Sequence, residues 1–284
     1  MAWTAPTRCG AARTWANASR NTDVLWPPLS DRLRAWLRAT GLDEKRCAAC
    51  REPFQPPPGS RGMTAVLCPD CVARLPRRTA GYCPRCGEVT ADPAAPCTPC
   101  GACLADDPPW TAFRLYGVFD GLLRDMLHRG KYGSDEACLD ALGGLLAEVC
   151  GDLPRPDAVV PMPLHPERLR KRGYNQCREM ARPLARALDA PVRDDLLIRQ
   201  RPTRPQTELK RRDRLRNLDG AFLGLPAAYG LHVLLADDTA TTGTSLRRAA
   251  HALLDAGARR VDVVVAAHAS LHTPAAPLRA AGPV

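Results

Sequence analysis

The chain has 284 residues, 45% of them hydrophobic and 25% charged, and a formal net charge of +10 from 40 basic and 30 acidic side chains. That length allows one large domain or two modest ones, and no run approaches the roughly 18 consecutive apolar residues of a membrane helix. Residues 1–30 mix Arg, Asn, Pro and Trp where a secretory signal has an apolar centre, so the expectation is a cytoplasmic protein with no membrane insertion.

Residues 1–46 read as an N-terminal extension, irregular or disordered at first. Leu29, Leu33, Trp36 and Leu37 fall at helical spacing and predict a short helix from Ser30 to Thr40, capped by Ser30 and ended near Gly41. Residues 47–105 are rich in Cys, Pro and Gly and poor in apolar runs. Such a segment buries too little apolar surface to offset its ordering entropy and needs staples.

The cysteines supply them. Of 13 in the chain, nine lie between residues 47 and 103, mostly as Cys-x-x-Cys pairs: Cys47/Cys50, Cys68/Cys71, Cys83/Cys86 and Cys100/Cys103. Without an export signal, metal binding accounts for them better than disulfides. Each pair places two thiolates on one side of a tight turn, and two such turns complete a tetrahedral S4 shell suited to Zn2+. Four pairs imply two structural zinc ions, with no coordination position left for substrate. The simplest pairing is sequential, Cys47/Cys50 with Cys68/Cys71 and Cys83/Cys86 with Cys100/Cys103. The spacing also admits an interleaved arrangement, and Cys97 in place of Cys100 or Cys103. Cys9, Cys138, Cys150 and Cys177 have no partner at ligand spacing and read as packing residues.

From Trp110 the pattern changes to alternating strands and helices. Strands are predicted over Phe113–Phe119, Ala158–Val160, Ala221–Leu223 (an edge), Val233–Ala236 and Val261–Ala267. Helices are predicted over Gly121–Arg129, Glu136–Cys150, Asn175–Leu188 and Thr244–Asp255. The second of these carries Leu139, Leu142, Leu145, Leu146 and Val149 on one face. This alternation predicts an α/β domain over residues 110–270, a mostly parallel sheet with helices on both faces, followed by a flexible tail at 271–284.

The most informative segment runs from Val233 to Ser245. Four apolar residues deliver Asp237 and Asp238, and a loop of small residues then opens into a helix. Backbone N–H groups at a helix start, aided by the helix dipole, bind phosphate. Gly243 lets the backbone approach an anion, and the hydroxyls of Thr241, Thr242, Thr244 and Ser245 add donors. Two carboxylates beside a phosphate cradle suit a ribose 5-phosphate, whose 2′- and 3′-hydroxyls would donate to Asp237 and Asp238. Residues 167–217 add 16 basic against 7 acidic side chains, a charge that favours polyanionic partners.

The segment resembles the phosphoribosyl-pyrophosphate (PRPP) binding signature of type I phosphoribosyltransferases. Val160-Pro161-Met162-Pro163-Leu164-His165, Arg172-Gly173-Tyr174-Asn175-Gln176, Gln206-x-x-Leu209 with Arg214 and Asn217, and Cys100-Gly101-Ala102-Cys103-Leu104 resemble the ComF family. The resemblance spans roughly residues 47–268 and favours Cys103 over Cys97 as a ligand. It implies a double zinc ribbon ahead of a type I phosphoribosyltransferase fold, with Mg2+ accompanying PRPP and Asp237 and Asp238 as the catalytic pair. It implies a pyrophosphate loop at Pro161, Met162, Pro163 and Leu164 with Arg172. It also implies a mobile loop over residues 199–217 carrying Gln206, Lys210, Arg211, Arg212 and Arg214. A role in natural transformation, with single-stranded DNA and a helicase-like competence protein as partners, follows from the same resemblance. So do two alternatives, a DNA-binding component without catalysis and a PRPP-sensing regulator.

Overall fold

The computed structural model describes residues 45–60, 62–200 and 220–269, together with Leu33 and Thr40. The rest of the Ser30–Thr40 helix, the tail 271–284 and the loop residues Gln206, Lys210, Arg211, Arg212 and Arg214 lie outside the described residues.

In chain order the strands are β1 (Lys45–Arg46), β2 (Pro53–Phe54), β3 (Phe113–Val118), β4 (Ala158–Pro161), β5 (Leu197–Arg199), β6 (Phe222–Gly224), β7 (His232–Ala240) and β8 (Arg260–His268). The helices are α1 (Pro69–Ala73), α2 (Gly101–Ala105), α3 (Gly121–Tyr132), α4 (Glu136–Val149), α5 (Pro166–Arg172), α6 (Gln176–Ala187) and α7 (Thr244–Asp255). The main sheet has the order β3-β8-β7-β4, with every pairing parallel. β1-β2 and β5-β6 are separate antiparallel ribbons.

The sheet is apolar on both faces, as a covered parallel sheet must be. Side chains alternate along each strand. Leu234 and Ala236 of β7, with Val264 and Ala266 of β8, join the apolar faces of α3, α4 and α6. Val233 and Leu235, with Val261, Val263 and Val265, join Leu246, Ala249, Ala250 and Leu253 of α7 on the opposite side. The five residues that define the apolar face of α4 are at most 2% exposed. α4 lies close against α6 because Gly143 has no side chain: a Cβ there would stand 2.2 Å from Pro183 Cγ and 2.3 Å from the Met180 carbonyl oxygen.

Three local expectations change. Strand β7 runs from His232 to Ala240, well past Ala236, because β8 continues to pair with it as far as His268. The Ala221–Leu223 strand does not edge the main sheet; it forms β6 and pairs with β5. Helix α5 has no apolar periodicity to announce it and is set by its ends. His165 caps it through Nδ1, which accepts from Glu167 N–H, Pro166 is its first residue, and Gly173 closes it at φ 84°.

The two cysteine-rich turns pack on opposite faces of the sheet. Cys47, Ala48, Ala49, Leu67, Cys71 and Leu75 belong to the core under α3 and α4. Tyr82 and Val89 of the second turn lean on the core under α7. The chain between them crosses the outer edge of β3, where Arg78 N–H donates to Tyr116 O (2.8 Å) and Tyr116 Oη donates to Leu75 O (2.5 Å). A free strand edge is thereby covered.

Candidate functional site

β4 stops at Pro161, opposite Ala236, and Met162 N–H closes the ladder on Ala236 O at 2.8 Å. β7 continues alone on that side, so Asp237 and Asp238 emerge at the carboxyl end of the β4–β7 pair. This is where open α/β sheets bind ligands. The acids therefore sit within a strand, not after it, and the early end of β4 uncovers them. Pro161–Leu164 runs directly beside them, and no peptide bond among the described residues is cis.

The carboxylates are held from two helices. Asp238, 6% exposed, accepts from Gln176 Nε2 at 2.9 Å and pairs with Lys131 Nζ at 3.0 Å. Gln176 Oε1 in turn accepts from Arg172. Asp237 Oδ1 accepts from the Asp238 backbone N–H at 2.9 Å and from the Cys177 thiol at 3.2 Å. Burial and then the Asp238 carboxylate push the Asp237 carboxyl up to about 7, while Cys177, the Asp238 N–H and Lys131 act the other way. Burial and the two acids push the Cys177 thiol up, which keeps it protonated and donating. Burial opposes the Lys131 charge, yet Asp238 holds the ammonium above its ordinary value. Burial and then Arg168 bring Arg199 of β5 down to about 10, with Asp237 acting the other way, and its guanidinium lies 5.3 Å over the Phe222 ring.

Past Ala240 the chain turns through Thr241, Thr242 and Gly243 into α7. Gly243 is the residue before the helix, at φ 68°, and no side chain caps the first turn. A residue with a Cβ is strained at that φ, so glycine is required here. Thr242 Oγ1 and Thr244 Oγ1 are 2.8 Å apart. The five expected phosphate-binding residues thus form one continuous turn and helix start.

The structure brings together Asp237, Asp238, Thr241–Ser245, Pro161–Leu164 and Arg172, all expected from sequence. It adds Lys131, Gln176, Cys177 and Arg199. Of these, Cys177 reads from sequence as a packing residue; it is buried, but its thiol also meets Asp237. Lys131 had one weak signal, being among only four lysines beside 36 arginines. Tyr174 ties α6 to α3 by donating to Gly130 O at 2.6 Å, and accepts from Ser134 N–H at 3.1 Å.

The cysteines gather in two sets, Cys47/Cys50/Cys68/Cys71 and Cys83/Cys86/Cys100/Cys103, each with its sulfurs within 4.8 Å of one another. The pairing is sequential. Cys97 stands apart, its thiol 3.7 Å from Thr79 O. Cys50–Cys68 and Cys86–Cys100 sulfurs are each 3.7 Å apart; a tetrahedron with Zn–S bonds of about 2.3 Å has edges of about 3.8 Å. Cys68 N–H and Cys100 N–H point at the Cys47 and Cys83 sulfurs, both at 3.3 Å. The Cys86 thiol and then further N–H groups bring Cys83 down to about 4, whereas burial and neighbouring thiolate charge push Cys103 up to about 12. One thiolate forms readily and the next resist, a charge build-up that a bound dication relieves. Both sets fit structural zinc.

The DNA utilization protein YhgH of Salmonella typhi is 35% identical over 204 residues, covering 69% of this chain and 88% of that protein. Its namesake in Escherichia coli (strain K12) is 34% identical over 224 residues, covering 76% and 94%. Competence protein F of Haemophilus influenzae is 29% identical over 206 residues, covering 69% and 88%. The chain belongs to the ComF family. A phosphoribosyl transferase domain model matches residues 175–277 of this ComF protein, from the start of α6 past the end of β8. The match includes Asp237, Asp238 and the turn into α7, and excludes Lys131, Arg172 and both cysteine sets. Among the described residues no helix is long and apolar enough to cross a membrane.

Proposed function

We propose that this protein binds PRPP, accompanied by Mg2+, as a phosphoribosyltransferase-type component of DNA uptake or DNA use. The observation that carries the reading is the emergence of Asp237 and Asp238 beyond the end of β4, beside an uncapped helix start behind Gly243. In this reading the ribose 2′- and 3′-hydroxyls donate to the two carboxylates. The 5-phosphate rests on the backbone and hydroxyls of Thr241–Ser245. The pyrophosphate faces Pro161–Leu164, with Arg172 at hand, and Gln206, Lys210, Arg211, Arg212 and Arg214 are the proposed further contacts. The names of the relatives, which refer to competence and DNA utilization, support the cellular setting.

The ligand atoms of Cys177, Asp237 and Asp238 lie within 4.8 Å of one another, but the group mixes a thiol with two carboxylates, one of them paired with Lys131, and is not the set of hard oxygens that Mg2+ prefers. Mg2+ arriving with PRPP would take its oxygen ligands mainly from PRPP and would supply charge neutralisation at the pyrophosphate.

The test is calorimetric titration of the zinc-loaded protein with Mg2+–PRPP, beside an Asp237→Asn/Asp238→Asn variant. Saturable binding that disappears in the variant supports the reading, and no binding by well-folded wild type sinks it. Pyrophosphate release dependent on the two acids assigns catalysis. Binding without release across a panel of acceptors assigns a sensor.

A second reading, contact with single-stranded DNA, is favoured by a specific surface. Only 5% of the chain is aromatic, yet Phe119, just ahead of α3, and His128 and Tyr132 on α3 form a run with ring centroids 5.8 and 5.9 Å apart. Arg172 extends the run, 5.5 Å over the Tyr132 ring. Tyr132 is 73% exposed. Aromatic faces beside cations are the chemistry on which unpaired bases stack. The exposed Arg170 and Lys171 of α5 directly precede Arg172 in the chain.

A further inference from the structure

We propose that Lys131 is a positioning residue of the ribose phosphate site, a built-in cation that aims Asp238 and lowers the negative potential an incoming polyanion meets. The inference rests on the reading that the Asp237–Ser245 segment binds a phosphorylated ribose, and extends that site to α3, outside the segment matched by the phosphoribosyl transferase model.

Two adjacent carboxylates at the mouth of a phosphate site repel the ligand they are meant to hold. The repulsion is strong when the acids are buried, because protein screens charge less than water does. Asp238 has a side chain only 8% exposed, and its Oδ2 lies 3.0 Å from Lys131 Nζ. The same oxygen accepts from Gln176 Nε2 at 2.9 Å. Two donors from two helices fix the carboxylate through this one oxygen. The Lys131 side chain is 28% exposed, so its ammonium is set back from solvent but not sealed from a ligand.

The backbone holds this lysine in place. Lys131 lies in the last turn of α3, where a cation is favoured by the helix dipole. Tyr174 at the foot of α6 donates to Gly130 O, the residue before it. A Cβ on Gly130 would lie 2.6 Å from Leu139 Cδ2, so the end of α3 is pressed onto α4. Such an anchored cation is not a freely swinging surface lysine. In the bound state the ammonium can keep Asp238 and add a contact to a phosphate oxygen, since it carries three donors.

The experiment uses the full zinc-loaded chain and three proteins: wild type, Lys131→Gln and Lys131→Arg. Glutamine retains a donor to Asp238 and removes the charge, whereas arginine retains the charge. A purely hydrogen-bonding role would be met by glutamine. Calorimetric titration with Mg2+–PRPP is expected to show glutamine weakening binding by about tenfold or more, with arginine recovering most of the loss. Zinc content should stay close to wild type in both; the melting temperature should fall in glutamine, which leaves the Asp238 carboxylate without its cation, and be kept by arginine, so binding is titrated well below both transitions. Glutamine binding within about twofold of wild type, or arginine as weak as glutamine, overturns the proposal.

Should wild type bind no PRPP, the reading of the loop falls and Lys131 is judged separately by acetylation mapped by mass spectrometry. Lys131 is then expected to react more slowly than Lys45 and Lys171, and Asp238→Asn to remove that protection. Equal rates in wild type and Asp238→Asn overturn the pairing itself.

Discussion

Trp110 and Arg85 hold each other in place: the indole N–H donates to Arg85 O at 2.7 Å, and the Arg85 guanidinium donates back to Trp110 O at 3.0 Å. Arg85 stands between two cysteines of the second set, and also reaches Asp107, Pro108 and Thr111. Trp110, 1% exposed, lies 3.9 Å from where a Cβ on Gly243 would stand. Arg247 of α7 packs over the same ring at 5.9 Å and binds Asp106. The second cysteine set is therefore fastened behind the turn that leads into α7.

Loss of zinc from that set should reach the phosphate turn. Cys86→Ser is expected to leave one zinc ion per chain and to weaken Mg2+–PRPP binding, measured by metal analysis and calorimetry. Cys50→Ser should also leave one zinc ion, but act mainly on stability, because its set packs under α3 and α4. Trp110→Ala, which removes the link itself, should cost about 3–5 kcal/mol in denaturant unfolding.

Asp237 makes stability depend on pH in a defined direction. The folded protein holds its proton up to about 7, whereas the unfolded chain releases it near the ordinary value of about 3.9. Between those values the folded state binds more protons, so this contribution is present at low pH and lost as pH rises through about 7. Asp237→Asn removes the dependence. Its melting temperature relative to wild type should rise from about pH 5 to about pH 8, and a constant difference would rule the effect out.

The aromatic run on α3 has its own test. His128→Ala/Tyr132→Ala is expected to weaken binding of a labelled single-stranded oligonucleotide by about tenfold, with about 1–3 kcal/mol per stacked base at stake. PRPP binding should be affected far less. Unchanged fluorescence anisotropy titrations in the double variant would exclude this surface as a stacking site.

The α4–α6 contact admits no added methyl group. Gly143→Ala would place a carbon against Pro183 and the Met180 carbonyl, and overpacking of this kind costs about 1–3 kcal/mol. A lowered midpoint in urea, with zinc content unchanged, is the expected result.

Much of the architecture was legible because its determinants are local. The helix Thr244–Asp255 agrees with its predicted bounds, since Gly243 and Gly257 bracket a clean apolar period. The Cys-x-x-Cys turns are legible because their geometry needs only four residues, whereas their sequential pairing and the exclusion of Cys97 come from the fold. Helix α5 escaped because its interior is charged, and only His165, Pro166 and Gly173 mark it. The sequence pattern stops β7 at Ala236 because Asp237, Asp238 and Ala240 are poor strand formers; pairing with β8 overrides that preference.

The amino-acid sequence by itself determined the alternating strands and helices, the four Cys-x-x-Cys turns and a carboxylate pair leading into a helix start. Each is written in neighbouring residues through side-chain period, turn chemistry and ligand spacing. Tertiary structure alone decided that the cysteine sets pack on opposite faces of the sheet, and that Lys131, Gln176 and Cys177 meet the acid pair. Those contacts join residues far apart in the chain, and depend on where β4 stops and how α3 and α6 pack beside β7. No local pattern records that distance, because it is set by the packing of whole elements.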